Sequence, residues 1–566
     1  MMTYDAVIVG SGINSLVCAG ILAKRGKKVC ILEREATLGG CIRTEELTAP
    51  GFIHDTLSTA HSLFVTSPGY AELKNELHAN GLEYCHSATP TGVLLPDGQA
   101  LLLTRDRAAN IAALNALAPG DGDAYAAAMG SVERDAETIF TLLGSELWTS
   151  KTGRTLAKRA WREGPHATLG FFGEALQSSR AWLAANFASP LSHALLAPWV
   201  LHTGLGPESA MSSLMAKVIA FTLEGVGLPL VKGGNARTVE AFRRLIEARG
   251  GEFHVNAEAA EIITQGGRAT GVRTTDGRSF MGRNVVCNVT PTQLYGRLLK
   301  PGKVSPEITR QGKAFRYGKG AMQIHLALSE VPAWADKKLA EVIYLHLTSG
   351  LDGVSQAVNE AERGLLPNAG TICVCQPCAV DPSRAPDGKW IFWIQLPECP
   401  SRIAGDARDE IPAPADSRWT EAIRERYADR IIDRLAAHIP NLKSSIVGRK
   451  VLSPADLEAL NINLVGGDPY SGDCAIDQSM FWRPLRAAKN HATELAGLYH
   501  IGASTHPGPG LGAPHPAPGP PGPPLRRPRL RDEGPPPGGG RHLHDQQLRL
   551  RGHQHEPHPA GGAQRS

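Results

Sequence analysis

Tyr4-Asp5-Ala6-Val7-Ile8-Val9-Gly10-Ser11-Gly12-Ile13-Asn14-Ser15 opens as an apolar strand and breaks into a glycine turn. A helix-patterned stretch follows, ending near Arg25-Gly26, and a second strand over 28–32 finishes on Glu33. The order strand, turn, helix, strand, acid is a βαβ dinucleotide-binding unit. Gly10 permits the tight turn, and Gly12 has no side chain to hold the backbone away from a pyrophosphate. The helix start then offers unpaired N–H groups and a positive dipole end to that anion. Glu33 is placed to accept hydrogen bonds from a ribose. Ser15 stands where a third glycine is more usual, at the expense of a little helix-to-strand packing.

The continuation Leu38-Gly39-Gly40-Cys41 separates two nucleotides. A glycine pair directly after the acid lets the chain pass close to the cofactor a second time. FAD proteins of the glutathione-reductase-like class need this, and a simple NAD dehydrogenase does not. FAD is therefore the expected cofactor, and no second strand-GxGxxG-helix unit provides a built-in NAD(P) site.

A chain of 566 residues can bury a large core in two or three interlaced domains. Net charge of +4 is mild for this length and gives no reason to expect a nucleic-acid partner. The ten cysteines are dispersed, which suits reduced thiols in a cytoplasm. Cys373-Val374-Cys375-Gln376-Pro377-Cys378 has a metal-like look, but alternation in a strand puts Cys373 and Cys375 on one face. No second CxxC or HxxxH follows, so strand core is expected and no metal. No secretory segment precedes Tyr4, and no apolar run reaches the roughly 18 residues of a membrane span. The expectation is a cytoplasmic protein with contact to a membrane face.

Along the chain, residues 67–224 are mainly helical, with short strands around Pro96-Asp97-Gly98. The helices over 181–223 are short of charge, which marks buried core or the wall of an apolar cavity. Pro229-Leu230-Val231-Lys232-Gly233-Gly234-Asn235 leads into an amphipathic helix, and strands over 252–288 with a turn at Asp276-Gly277 return to the nucleotide domain. Further strands are expected at 321–328, 371–376 and 390–395, and a helix at 419–438. The division expected is a first FAD-binding segment at 1–64, a helical insertion at 65–225, and a second FAD-binding segment at 226–300. A substrate sheet with helices at 301–450 and a C-terminal flavin segment at 451–512 complete it before the tail at 513–566.

Four stretches carry a resemblance: GSGINSLVCAGILAKRGKKVCILEREATLGG at 10–40, LPLVKGGNARTVEAF at 228–242, QPCAVDPSRAPDGK at 376–389 and YHIGASTHPGPGLG at 499–512. With them the chain resembles the phytoene dehydrogenase-related flavoproteins, which include carotenoid desaturases and a vertebrate pyridine nucleotide-disulfide oxidoreductase domain-containing relative. The resemblance implies an α/β fold: a Rossmann-like FAD-binding domain with a mixed α+β substrate domain built from two insertions. It also implies that Gly10, Gly12 and Ser15 approach the pyrophosphate and Glu33 the adenosine ribose. Gly39, Gly40 and Thr44 would approach the ribityl chain and ring, and Ala259 the adenine. Gly502 and Ala503 would lie along the ribityl chain, with Gly510 and Leu511 at the pyrimidine end. Cys41 and Ala503 depart from the pattern, where relatives carry Arg and more distant flavoproteins an acid.

The activity expected from this resemblance is oxidation or desaturation of an extended apolar substrate by hydride transfer to flavin N5. A flavin oxidase of a smaller amine or alcohol, an isomerase and a non-catalytic FAD protein are the alternatives. His54, His61 and His506 are candidate proton carriers because histidine titrates near neutral pH, each weighed against a role as a hydrogen-bonded loop residue. Asp55 reads as a loop brace. The stretch 513–566 has no Lys, Ile, Val, Met, Phe, Tyr, Trp, Cys, Thr or Asn, so it has little to bury and should be disordered. Its residues are those of G/C-rich codons, as expected of a shifted reading frame, against the alternative of a natural Pro-rich interaction tail.

Overall fold

A computed structural model of the chain describes residues 3–509. The tail at 513–566, Gly510 and Leu511 lie outside the described residues.

Strand β1 (Thr3–Val9), helix α1 (Ile13–Lys24) and strand β2 (Val29–Leu32) form the parallel unit read from the sequence. Helix α2 (Pro68–Ala79) follows, then strands β3 (Thr91–Leu94) and β4 (Ala100–Leu103). The first insertion continues with helices α3 (Asp121–Gly144), α4 (Ser150–Glu163), α5 (Pro165–Leu176) and α6 (Ser212–Val226). Helix α7 (Ala236–Glu247) and strands β5 (Glu252–His254), β6 (Ala259–Gln265), β7 (Arg268–Thr274) and β8 (Ser279–Asn288) return the chain to the first domain. Strands β9 (Gly320–Leu328), β10 (Tyr344–Leu347), β11 (Ile372–Cys375) and β12 (Trp390–Cys399) come next. Helix α8 (Glu421–Ala436) and strands β13 (Ile446–Leu452) and β14 (Leu498–Ile501) complete the elements that matter here.

The nucleotide sheet runs β6-β7-β8-β1-β2-β5, and β14 pairs with the C-terminal half of β8. β1, β2, β5, β8 and β14 are parallel, so their C-terminal ends open on one edge, where ligands bind in such sheets. One face of the sheet is covered by α1, α2 and α7, whose Leu16, Val17, Leu73, Phe242 and Ile246 share a core. Helix α2 therefore belongs to the nucleotide layer. A division at residue 64 cuts it off, because its amphipathic pattern says that it packs and not against what.

The second sheet runs β13-β9-β12-β11-β10-β3-β4 and takes strands from both insertions. Its faces alternate with the period of two that strands impose. Tyr344, Cys373, Cys375 and Trp393 face the apolar helices of the first insertion, while Leu345, Val374 and Ile394 face α8. β13 extends this sheet to Leu452, past the expected break at 450. Helix α8 is shorter than the expected 419–438, because the Thr420 side chain accepts from the Ile423 N–H and sets its start.

Candidate functional site: a dinucleotide cleft with an apolar extension

The C-terminal ends of β1, β2 and β8 meet two glycine loops. Gly10 has φ +88°, and a Cβ there would stand 3.2 Å from the Asn288 carbonyl oxygen. Gly40 has φ +60°, and a Cβ on it would lie 3.3 Å from the Gly12 Cα, so the two loops touch backbone to backbone. Ser11 ties them together. Its hydroxyl donates to Glu33 Oε2 at 2.6 Å and accepts from the Gly39 N–H at 2.8 Å. Glu33 also accepts from the Ser11 N–H at 3.0 Å and the Glu35 N–H at 3.0 Å. A carboxylate offers about four acceptor positions, so roughly one is left for a ribose hydroxyl.

These loops form one end of a cavity of about 470 Å³. Gly12 is the N-cap of α1, with no side chain capping that helix end and no acid in its first turn. The N-terminus of α1 is therefore open to an anion, and Gly10, Ser11, Gly12, Ile13 and Asn14 line the cavity beside it. These features fit the diphosphate and adenosine parts of a dinucleotide.

Most of the expected contact residues converge on this cavity. Gly10, Gly12, Glu33, Gly39 and Gly40 line it, and so do Ala259 and Ala503. Ser15, Thr44 and Gly502 do not. The Ser15 hydroxyl accepts from Asn288 Nδ2 at 3.0 Å and so fixes the residue that Gly10 and Gly12 pack against. Thr44 donates to Asp55 Oδ1 at 2.8 Å and accepts from the Ala236 N–H at 2.9 Å, facing the start of α7. Gly502, at φ +109°, is where it is because a Cβ there would overlap the Asn288 side chain. Asn288, at the end of β8, is the support that sequence reading misses. The only signal for it is its place at a strand's C-terminal end.

Of the three histidines, His61 lines the cavity; its Nδ1 lies 3.1 Å from the Tyr84 hydroxyl, and burial lowers its pKa to about 4. His54 is turned away, with Nε2 at 2.8 Å from the Thr48 hydroxyl and its ring edge against His325. Burial and then the Arg384 charge lower its pKa to about 3. His506 packs beside Glu146 and His491 and is held neutral by burial, with a pKa lowered to about 4.

Asp55 is a brace, as its sequence position suggests. It accepts from Thr44, from Thr59 at 3.0 Å, from the Asn235 N–H at 2.8 Å and from Arg384 Nη2 at 3.1 Å. Arg384 is fully buried and also donates to Asp381 at 2.9 Å and to the Val231 carbonyl at 2.9 Å. Burial works against the Asp381 charge, but the Ser383 hydroxyl, the Gly233 N–H and Arg384 together hold its carboxyl below the usual range. Two of the quoted motifs, at 228–242 and 376–389, thus meet in one buried ion-pair hub beneath the cavity.

The cavity continues past the glycine loops to Trp199, Ile219, Leu223, Tyr344 and Trp393, supplied by the first insertion and the second sheet. The sequence pattern described as flavin containing amine oxidoreductase matches residues 16–428. The chain belongs to that family. As a flavin-containing amine oxidoreductase it is an oxidoreductase whose expected cofactor is FAD, and the open N-terminus of α1, Glu33 and the paired glycines are the residues that would hold it. This family member is 26% identical over 544 residues to pyridine nucleotide-disulfide oxidoreductase domain-containing protein 2 of Rattus norvegicus, covering 90% of this chain and 91% of that one. It is 24% identical over 517 residues to a 4,4'-diapophytoene desaturase (4,4'-diapolycopene-forming) of Methylomonas sp, covering 90% and 92%. Among solved structures, putrescine oxidase bound to putrescine shares the fold at TM-score 0.54 and 14% identity, covering 90% of this chain and 96% of that one.

Proposed function

We propose that the protein dehydrogenates an extended apolar substrate of the isoprenoid or carotenoid class. The wall of the cavity beyond the glycine loops carries this reading: Trp199, Ile219, Leu223, Leu228 and Trp393 line it. The charged lining residues, Glu33, Arg34, Glu35, Arg43, Glu258 and Arg297, all belong to the nucleotide domain. A hydrocarbon gains from such a wall roughly in proportion to the apolar area it removes from water. When bound, FAD supplies the hydride acceptor at N5. The chain's own residues orient the substrate and exclude water, and the histidines on the wall, His61 and His202, are kept neutral by burial. The similarity to a 4,4'-diapophytoene desaturase supports the same substrate class.

A second reading, oxidation of a small amine, rests on the aromatic faces of Trp199, Tyr344, Trp393 and Tyr470 around the chamber, which suit a cation. Mixing FAD-loaded protein anaerobically with linear polyenes in liposomes, and separately with putrescine and monoamines, distinguishes the two. Loss of oxidised-flavin absorbance with polyenes is expected; bleaching with amines alone would replace the proposal by the second reading.

Delivery of such a substrate calls for contact with a bilayer. No helix among the described residues is long and apolar enough to cross a membrane. Helices α4 and α5 instead expose Trp161 at 91%, Leu169 at 70% and Leu176 at 47%, with exposed Lys151, Arg154 and Arg162 on the same pair. This combination suits the headgroup region of an anionic membrane. Replacing Trp161 and Leu169 by Ala should reduce co-sedimentation with anionic vesicles while leaving FAD content unchanged; undiminished binding would place the contact elsewhere.

A further inference from the structure

Three side chains of metal-ligating type converge beside the cavity, where the first insertion meets the second sheet. His202 comes from the 3-10 turn Ala197–Thr203, His346 from β10 and Cys373 from β11. His346 and Cys373 are register partners on antiparallel strands, so their side chains leave the same face of the sheet together. His202 Nε2 lies 2.9 Å from His346 Nε2 and 3.8 Å from Cys373 Sγ, and the three ligand atoms all fall within 4.8 Å of one another. With Zn–N near 2.0 Å and Zn–S near 2.3 Å, a tetrahedral site would separate two nitrogens by about 3.3 Å and nitrogen from sulfur by about 3.6 Å. Small ring rotations would bring the present spacings to those values.

We propose that His202, His346 and Cys373 bind one zinc(II) ion, with the fourth coordination position on the cavity side for water or a ligand's oxygen or nitrogen donor. The residue types suit a borderline-soft metal, since two imidazoles and one thiolate are common zinc donors. Burial keeps both imidazoles in the neutral, ligating form at neutral pH. Binding displaces the Cys373 thiol proton, which leaves as a solvated proton, and the thiolate offsets one of the two positive charges. Trp199 and Tyr344 pack on the rings of His202 and His346 with ring centroids 4.8–5.5 Å apart and limit their rotation. His202 lines the cavity, whereas His346 and Cys373 are fully buried, so the cavity side of His202 is where an ion would enter. The site lies on the wall of the same cavity, and its zinc content can be read whatever substrate that cavity takes.

The test uses full-length, FAD-loaded protein exposed to zinc sulfate and desalted, with zinc measured per chain. Histidines in the tail add a background common to all variants, so the difference between variants is the readout. Wild type should hold about one zinc per chain more than Cys373→Ser and His202→Asn, each checked for retained FAD as evidence of folding. Zinc-edge X-ray absorption of the wild type should show one sulfur in the coordination shell, a readout that needs no variant. Equal zinc in wild type and variants, no retained zinc, or a shell without sulfur would overturn the proposal.

Discussion

Glu33 shows how one residue serves both loop architecture and ligand binding. Its carboxylate already anchors Ser11 and the Glu35 N–H, so Glu33→Ala removes a ribose acceptor and loosens the clamp on the glycine turn. FAD affinity should fall by about 1–3 kcal/mol, the range for losing a partner of a charged buried hydrogen bond. Titration of apoprotein with FAD, followed by flavin fluorescence, measures it, and unchanged affinity would move the ribose away from this acid. Ser15 and Thr44 illustrate the opposite case. Motif position assigns both to the cofactor, yet both spend their hydroxyls on protein partners. A motif gives a residue's place along the chain, whereas the direction of a hydroxyl depends on which distant segment packs beside it.

Among the elements, α6 serves core and cavity together. Ala216 and Ala220 pack in the core under the second sheet, and Ile219 and Leu223 belong to that core while also reaching the cavity wall beside Thr222. Charge scarcity over 181–223 marks these helices without choosing between core and cavity wall; in the structure they do both. Ile219→Trp should fill the chamber. Flavin content would stay at the wild-type level, and oxidation of a long polyene should drop at least tenfold, of the order expected when a near-attack geometry is lost. Polyene turnover equal to wild type would show that the substrate does not pass this wall.

At the scale of the molecule, several histidines are buried in the neutral state. Burial lowers the pKa of His61, His500 and His506 to about 4, and that of His54 to about 3. The unfolded chain takes up these protons near pH 6.5, and the folded chain resists doing so until near pH 4. The stabilisation is therefore complete above about pH 6.5 and is lost as pH falls toward 4, each site contributing up to about 1.4 kcal/mol per pH unit. Thermal unfolding should shift steeply downward between pH 7 and 5, and a flat profile would mean that these rings have access to water. The segment after Gly512 makes a separate prediction, which rests on composition alone. Translating the other frames of the gene should reveal a Gly-rich turn and an apolar helix, and their absence from every frame would leave the Pro-rich tail as the natural sequence.

The nucleotide half was legible in the chain because its determinants are local. Strand, glycine turn, helix, acid and glycine pair all fall within the first forty residues, and steric rules for glycine and the helix dipole apply wherever such a segment lies. The match of fold and family to this reading follows from that locality. What surrounds the half did not follow in the same way. Asn288 meets Ser15 across 273 positions, Arg384 meets Asp55 across 329, and His202 meets His346 across 144. Strand order within the nucleotide sheet brings Asn288 to Ser15, the second insertion brings Arg384 to Asp55, and the packing of both insertions on the second sheet brings His202 to His346. Periodicity in a sequence states which face of an element is apolar, and the partner of that face is selected only when the separated segments compete for the same core.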